Sequence, residues 1–162
     1  MSAAGSGPST RGRLVAGVAI ALACLGCGGG GEKLSAKHVP LVAKATVVAQ
    51  SYGCPATPDV CFRWVIVRGS GSTSAQRLKA AERRLLASRG WRFRSGATPK
   101  ALAADAPDRK LFLSFETGSE ELADQRAGRT SWGDKTVGVK LRALTAQHAP
   151  VLALTVERPP GK

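Results

Sequence analysis

Residues 62–68, Phe-Arg-Trp-Val-Ile-Val-Arg, combine β-branched and aromatic side chains and predict a strand. Residues 45–50, Ala-Thr-Val-Val-Ala-Gln, have the same character. Gly53 and Pro55 lie in the short connection between the two stretches, where a chain reversal is expected. The two stretches therefore predict a β-hairpin.

A helix is predicted over residues 74–89, directly after this hairpin. Thr73 and Gln76 fit the capping box that begins many helices, and Gly90 is placed to end one. An apolar stripe at helical spacing faces one side, with basic residues elsewhere on the surface. Residues 91–94, Trp-Arg-Phe-Arg, then alternate as a half-buried strand does, which predicts that Trp91 and Phe93 pack beneath the helix.

The second half of the chain alternates between predicted strands and short irregular segments. The predicted segments are a loop at 98–109, a central strand at 110–116, a short helix at 117–128, and a hairpin of strands 136–144 and 151–157. The element order predicts an α+β domain. Its sheet should be mostly antiparallel, with one main helix and one short helix on one face and one hairpin closed by a disulfide.

The chain begins with features of an export leader. Arg11 and Arg13 precede an uncharged apolar run of residues 14–25. As a helix this run would be roughly 18 Å long, against about 30 Å for the hydrocarbon core of a bilayer. It is therefore too short to span a membrane and is predicted to be removed.

Cys24 lies near the end of this run and Cys27 just after it, in the motifs Ala21-Leu22-Ala23-Cys24 and Cys24-Leu25-Gly26-Cys27. Both motifs resemble the lipobox of bacterial lipoprotein precursors, which implies lipidation of the cysteine and cleavage by signal peptidase II. We favour Cys27, because that cut leaves two further cysteines able to pair, whereas a cut before Cys24 leaves an odd thiol. Cys24 remains the alternative, and Ala21-Leu22-Ala23 also permits ordinary secretion as a soluble protein.

These features divide the chain into four predicted parts: a leader at 1–26, a flexible glycine-rich tether at 27–43, a single α+β domain at 44–157 and a tail at 158–162. In an exported protein, Cys54 and Cys61 at the two ends of the hairpin loop are predicted to form a disulfide. Their spacing is not that of a standard zinc site.

The chain is strongly basic, with a formal charge of +13, and the predicted leader holds only two of its 24 lysines and arginines. Such a charge suits an anionic component of the cell envelope. The alternative is that arginine is over-used throughout, as in proteins from GC-rich genomes. An exported protein seldom meets nucleic acid, so we expect no nucleic-acid partner.

Candidates for catalysis are few. The chain has two histidines and lacks the common hydrolase, zinc-protease and phosphate-loop motifs. We therefore predict no catalytic residues, no metal and no cofactor. One possible surface contact consists of Arg126, Arg129, Trp132 and Lys135, since a tryptophan in a basic loop can anchor at an interface. The alternative is that Trp132 folds back over the core.

The mature part resembles uncharacterised small lipoproteins of high-GC bacteria, through its disulfide-closed hairpin and a helix that ends at Arg89-Gly90-Trp91. This resemblance implies no activity. We expect a lipoprotein anchored at the extracytoplasmic face of the cell membrane, or at the outer membrane of a cell that has one. Its basic, non-catalytic domain would bind an envelope component or another envelope protein. A soluble secreted binding module or inhibitor, and an envelope-acting enzyme, remain alternatives.

Overall fold

The computed structural model describes residues 36–54, 61–95, 98, 100–130 and 134–158. After a single 3-10 turn at Ala36–His38, the elements are β1 (Ala45–Gly53), β2 (Phe62–Gly69), α1 (Ala75–Ser88), β3 (Arg92–Ser95), β4 (Leu102–Asp105), β5 (Phe112–Thr117), α2 (Gly118–Arg126), α3 (Lys135–Ala146) and β6 (Val151–Glu157). The predicted leader and both lipidation candidates lie outside the described residues.

Six strands form one sheet in the order β1-β2-β6-β5-β4-β3, and every neighbouring pair is antiparallel. The α+β class and the antiparallel sheet are therefore confirmed. Strand β6 inserts between β2 and β5, so it joins the β1-β2 hairpin to the three-stranded meander β3-β4-β5. This topology places the central strands among the most buried parts of the molecule.

The first hairpin has the predicted pairing. Its register runs from Ala45 opposite Gly69 to Gly53 opposite Phe62. Beyond the last pair, Cys54 and Cys61 are joined by a disulfide with their Cα atoms 4.3 Å apart. The predicted disulfide is confirmed, and it joins the two strands at the loop end of the hairpin.

Helix α1 begins and ends close to the predicted positions, but its N-cap is Ser74, so the capping box predicted for Thr73 and Gln76 is not the one that begins it. The Ser74 hydroxyl accepts a hydrogen bond from the Arg77 amide at 3.2 Å, which caps the first turn. Gly90 follows the helix with a φ of +79°, a conformation that glycine adopts without strain. Leu78 and Leu86 of α1 are fully buried, in one core with Trp91 and the inner residues of the strands.

The helices lie on both faces of the sheet. Val65 and Val67 of β2 pack in the core beneath α1, whereas Ile66, between them, packs in a second core with α2 and α3. Successive side chains of a strand point to opposite faces, so the two cores are separated by the sheet. The prediction of helices on one face was wrong because the central strands carry apolar residues on both sides.

Residues 135–146 form helix α3, so the predicted strand at 136–144 and the hairpin with 151–157 were wrong. The apolar residues alternate along part of this segment, but Val137, Leu141 and Leu144 are the ones that are buried, and Val139 is 58% exposed. Their spacing is helical. Asp134 also caps the helix, its carboxylate accepting hydrogen bonds from the Thr136 and Val137 amides.

Strand β4 occupies part of the segment that was predicted to be a loop. Ala103 and Ala104 are fully buried, and their strand pairs with β3 on one side and β5 on the other. Alanine is under-represented in strands. This element therefore forms because of its pairing with β3 and β5, and not because of local preference.

The last part of the predicted tether packs against the domain. Val39 is only 5% exposed and belongs to the core beneath α1. The Val42 amide donates a hydrogen bond of 3.1 Å to the carboxylate of Glu82, a fully buried residue of α1. The folded structure therefore begins before residue 44, the predicted start of the domain.

Candidate ligand-binding groove

Strands β2, β6 and β5 present three parallel rows of side chains on the face that carries α2 and α3. Across the three strands, the outer row is Phe62, Glu157 and Phe112, the middle row is Trp64, Thr155 and Ser114, and the inner row is Ile66, Ala153 and Glu116. Helices α2 and α3 cover the inner row, where Ile66 and Ala153 belong to the second core. The outer and middle rows form the floor of a groove of about 250 Å³.

One end of the groove is closed by Glu116, Glu121 and Thr130. Glu116 belongs to β5, Glu121 to the first turn of α2, and Thr130 to the segment after that helix. The Thr130 hydroxyl donates a hydrogen bond of 2.9 Å to Glu121, and the Gln125 side-chain amide donates another of 2.8 Å to the same oxygen. Hydrogen bonds from Thr130 and Gln125 therefore hold the Glu121 side chain in this wall.

A capping box fixes the start of α2. The Glu120 carboxylate accepts a hydrogen bond from the Thr117 amide, and the Thr117 hydroxyl accepts one from the Glu120 amide. Lys79 of α1 lies 2.7 Å from Glu120 and also donates to the Lys100 carbonyl at 2.6 Å. Burial raises the pKa of Glu120, but the bonds from Lys79 and the Thr117 amide outweigh it and lower that pKa. Glu120 therefore serves the fold, while Glu121 beside it lines the groove.

Two acids of this wall, Glu116 and Glu121, lie beside a third acid, Asp124. We call these three residues the acid cluster. Their exposed fractions are 3%, 5% and 1%. The Arg129 side chain donates a hydrogen bond of 2.9 Å from Nε to Asp124. Hydrogen bonds from Thr98 and Arg129 lower the pKa of Asp124. Asp124 is thus an ionised partner of Arg129.

The pKa of Glu116 is shifted in the opposite direction to the pKa of Asp124. Burial raises the pKa of its carboxyl to about 8, helped by a hydrogen bond shared with Glu121 and by the negative charges of Glu121, Asp124 and Glu120. At neutral pH this carboxyl therefore holds a proton. Among the described residues, no donor forms a hydrogen bond to its Oε2 atom. This buried carboxyl, which shares a hydrogen bond with Glu121, lies in the wall of the groove.

Aromatic rings line the rest of the groove. The rings of Phe62 and Trp64 meet edge to face with their centroids 4.6 Å apart. At the other side, the Arg94 guanidinium lies 4.2 Å from the centroid of Phe112 and pairs with Asp105 at 3.3 Å. Burial raises the pKa of Glu157, and the nearby Arg94 opposes that shift. The floor thus combines apolar rings with polar side chains.

The predicted surface contact is only partly described. Arg126 is exposed at the end of α2, and Lys135 is exposed at the start of α3. Arg129 pairs with Asp124, so its guanidinium has a partner inside the domain. Trp132 lies outside the described residues, as do Cys24 and Cys27.

Sequence reasoning did not find the acid cluster. Glu120 and Glu121 both lie in the first turn of α2, where acids favour the helix dipole, but Glu121 also lines the groove. The alternation of Phe112, Ser114 and Glu116 on one face of a central strand was the available indication that an acid would be buried there.

Within the described residues, no three histidine, cysteine, aspartate or glutamate side chains form a group that could hold a metal ion. None of the helices in that part of the chain has the length and apolar character needed to cross a bilayer. No protein-family model matches the chain, and no curated protein or solved structure matches it either.

Proposed function

We propose that the chain is an exported lipoprotein that presents a small basic binding domain at the extracytoplasmic face of the membrane, without catalysing a reaction. The observation that carries the binding role is the groove, because ligand sites are concave, largely apolar and lined by a few polar groups. The disulfide supports export, since such bonds persist in oxidising compartments. The anchor is supported by the two lipobox-like motifs.

The anchor is tested by metabolic labelling with a fatty-acid analogue such as an alkynyl palmitate. The full-length chain is compared with Cys24→Ser, Cys27→Ser and the double variant. We expect label on the wild type and on Cys24→Ser, and none on Cys27→Ser. Absence of label from the wild type, or its persistence in the double variant, would reject lipidation. Label that follows Cys24 would keep the anchor and move it to the other cysteine.

A hydrolase is the second candidate. Glu116 and Glu121 share a hydrogen bond at the end of the groove, and two carboxyls that share a proton can act as acid and base. Binding remains the first candidate because Glu116 is 3% exposed and one Glu121 oxygen already accepts two hydrogen bonds, which restricts access for a substrate and a water molecule. Turnover of cell-wall fragments or peptides that is lost in Glu116→Gln would favour the hydrolase.

A further inference from the structure

The exposed face of helix α1 is basic and contains no acid. The exposed residues of the helix are Gln76, Arg77, Ala80, Arg83, Arg84, Ala87 and Ser88. We call its three arginines, Arg77, Arg83 and Arg84, the basic face. The single acid of the helix, Glu82, is fully buried, and its single lysine is buried in an ion pair with an acid of α2. Neither of them changes the charge that the helix presents to solvent.

The charge of the basic face is not neutralised by neighbouring side chains. Within the described residues, none of its three arginines forms an ion pair. Arg77 donates a hydrogen bond of 3.0 Å to the neutral hydroxyl of Thr73, and the Arg83 guanidinium lies 5.6 Å from the centroid of the Phe93 ring. An exposed helix can balance its cations with acids three or four residues away, but α1 has no exposed acid. The basic face therefore suits an anionic surface outside the domain.

The chain enters the domain beside this helix. Val39 belongs to the core beneath α1, and Ala36, Leu41 and Val42 pack against that core. The Val42 amide also donates its hydrogen bond to Glu82 of α1. The first described residues are therefore held on the side of the sheet that carries α1, whereas α3 packs in the core on the opposite side.

The predicted tether between the lipid and the domain is short. The chain advances by nine residues from Cys27 to Ala36, which span at most about 30 Å when fully extended. A domain of about 120 residues has a radius of gyration of about 14 Å, which corresponds to about 35 Å across. A lipid on Cys27 would therefore keep the side of α1 closer to the bilayer than the side of α3.

We propose that the basic face of α1 docks on the anionic phospholipid headgroups of the membrane that holds the anchor. This inference rests on the proposed anchor at Cys27 and adds the orientation of the domain. The guanidinium groups contact the headgroup phosphates, which arginine binds through paired hydrogen bonds. In this orientation the groove, which lies on the side of the sheet that carries α2 and α3, faces away from the bilayer and is open to a ligand from the envelope.

The test is arginine modification of the lipidated wild-type protein in nanodiscs of phosphatidylcholine with or without phosphatidylglycerol. Phenylglyoxal modifies accessible arginines, and mass spectrometry of peptides measures the rate at each position. We expect Arg83 and Arg84 to react several-fold more slowly in the anionic nanodiscs. Arg142, exposed on α3, is the internal reference and should react equally in both. High salt should remove the protection, because exposed charges are screened over only about 3 Å at 1 M salt.

Two matched double variants locate the contact. Arg77→Gln with Arg83→Gln removes two charges from the basic face, and Lys135→Gln with Lys140→Gln removes two from exposed positions of α3. Each basic residue at an anionic surface contributes roughly fivefold to binding, so the first variant should dock about 25-fold more weakly and lose the protection of Arg84. The second variant should keep that protection. Thermal melting checks that both variants fold, and the wild-type measurement stands without them.

Several results would overturn the docking contact. They are equal modification of Arg83 and Arg84 in neutral and anionic nanodiscs, protection of Arg142 in their place, and equal loss of protection in the two double variants. Protection by a teichoic acid, without protection by phosphatidylglycerol, would also overturn it. Absence of fatty-acid label would remove the anchor and this inference with it. Equal modification rates in a chain that does carry the label would reject the docking contact alone, so the two failures are distinguishable.

Discussion

Replacing Glu82 by glutamine should stabilise the protein at alkaline pH and leave its stability nearly unchanged at acidic pH. Glu82 is fully buried in α1, and burial raises the pKa of its carboxyl to about 7, although the hydrogen bond from the Val42 amide opposes that shift. The usual glutamate value is 4.5. The folded state therefore binds this proton more tightly than the unfolded state does.

The higher pKa in the folded state determines the direction in which the stability changes with pH. Because the folded pKa is the higher one, the protonated carboxyl is compatible with the fold below about pH 4.5, and ionisation costs stability as the pH rises from there through about 7. At about 1.4 kcal/mol for each pKa unit, the full loss is about 3 kcal/mol by pH 8. Glutamine does not titrate and can accept the same hydrogen bond from Val42.

Urea unfolding followed by circular dichroism at pH 5, 6, 7 and 8 measures the effect. The free energy of unfolding of Glu82→Gln minus that of the wild type should be within about 1 kcal/mol of zero at pH 5 and approach about +3 kcal/mol at pH 8. Asp108→Asn, with the same change in net charge at an exposed site, should show no such rise. A difference that is constant across this range, or that is negative at pH 8, would refute the reasoning.

Three further sets of variants test the fold. Replacing Cys54 and Cys61 by serine opens a loop of about eight residues and should lower the free energy of unfolding by about 2.5 kcal/mol, measured by urea unfolding. Gly118→Ala should cost about 1–3 kcal/mol because a Cβ atom there would lie 2.7 Å from Thr145 Oγ1 and from Val151 Cγ2; Gly138→Ala in α3, with 3.6 Å to its nearest neighbour, should not destabilise. Arg129→Ala should lower the melting temperature more than Arg126→Ala, because it leaves the buried Asp124 carboxylate without its cation; equal melting temperatures would contradict that role.

Local patterns predicted the elements whose signals do not depend on distant residues. The first hairpin has β-branched strands and a cysteine at each end of its loop, and α1 has a capping serine before it and Gly90 after it. The strand predicted at 110–116 is β5, and it does lie inside the sheet. In each case the local preference and the tertiary environment agree.

The misassigned elements are those that the tertiary environment decides. In α3, Val139 completed an alternating pattern that suggested a strand, but the buried face is helical and Val139 is exposed. Strand β4 is rich in alanine and forms because β3 and β5 lie on either side of it. The acid cluster joins Glu116 at the end of β5 to Glu121 and Asp124 in α2, and its carboxyls are buried only because the helices pack on the sheet.

The most direct test of the anchored role is mass spectrometry of the N-terminal peptide of the protein isolated from the membrane fraction. We expect a peptide that begins at Cys27 and carries a diacylglycerol on its sulfur. A peptide that retains residues 1–26, or one that begins after Ala23 with unmodified Cys24 and Cys27, would contradict it.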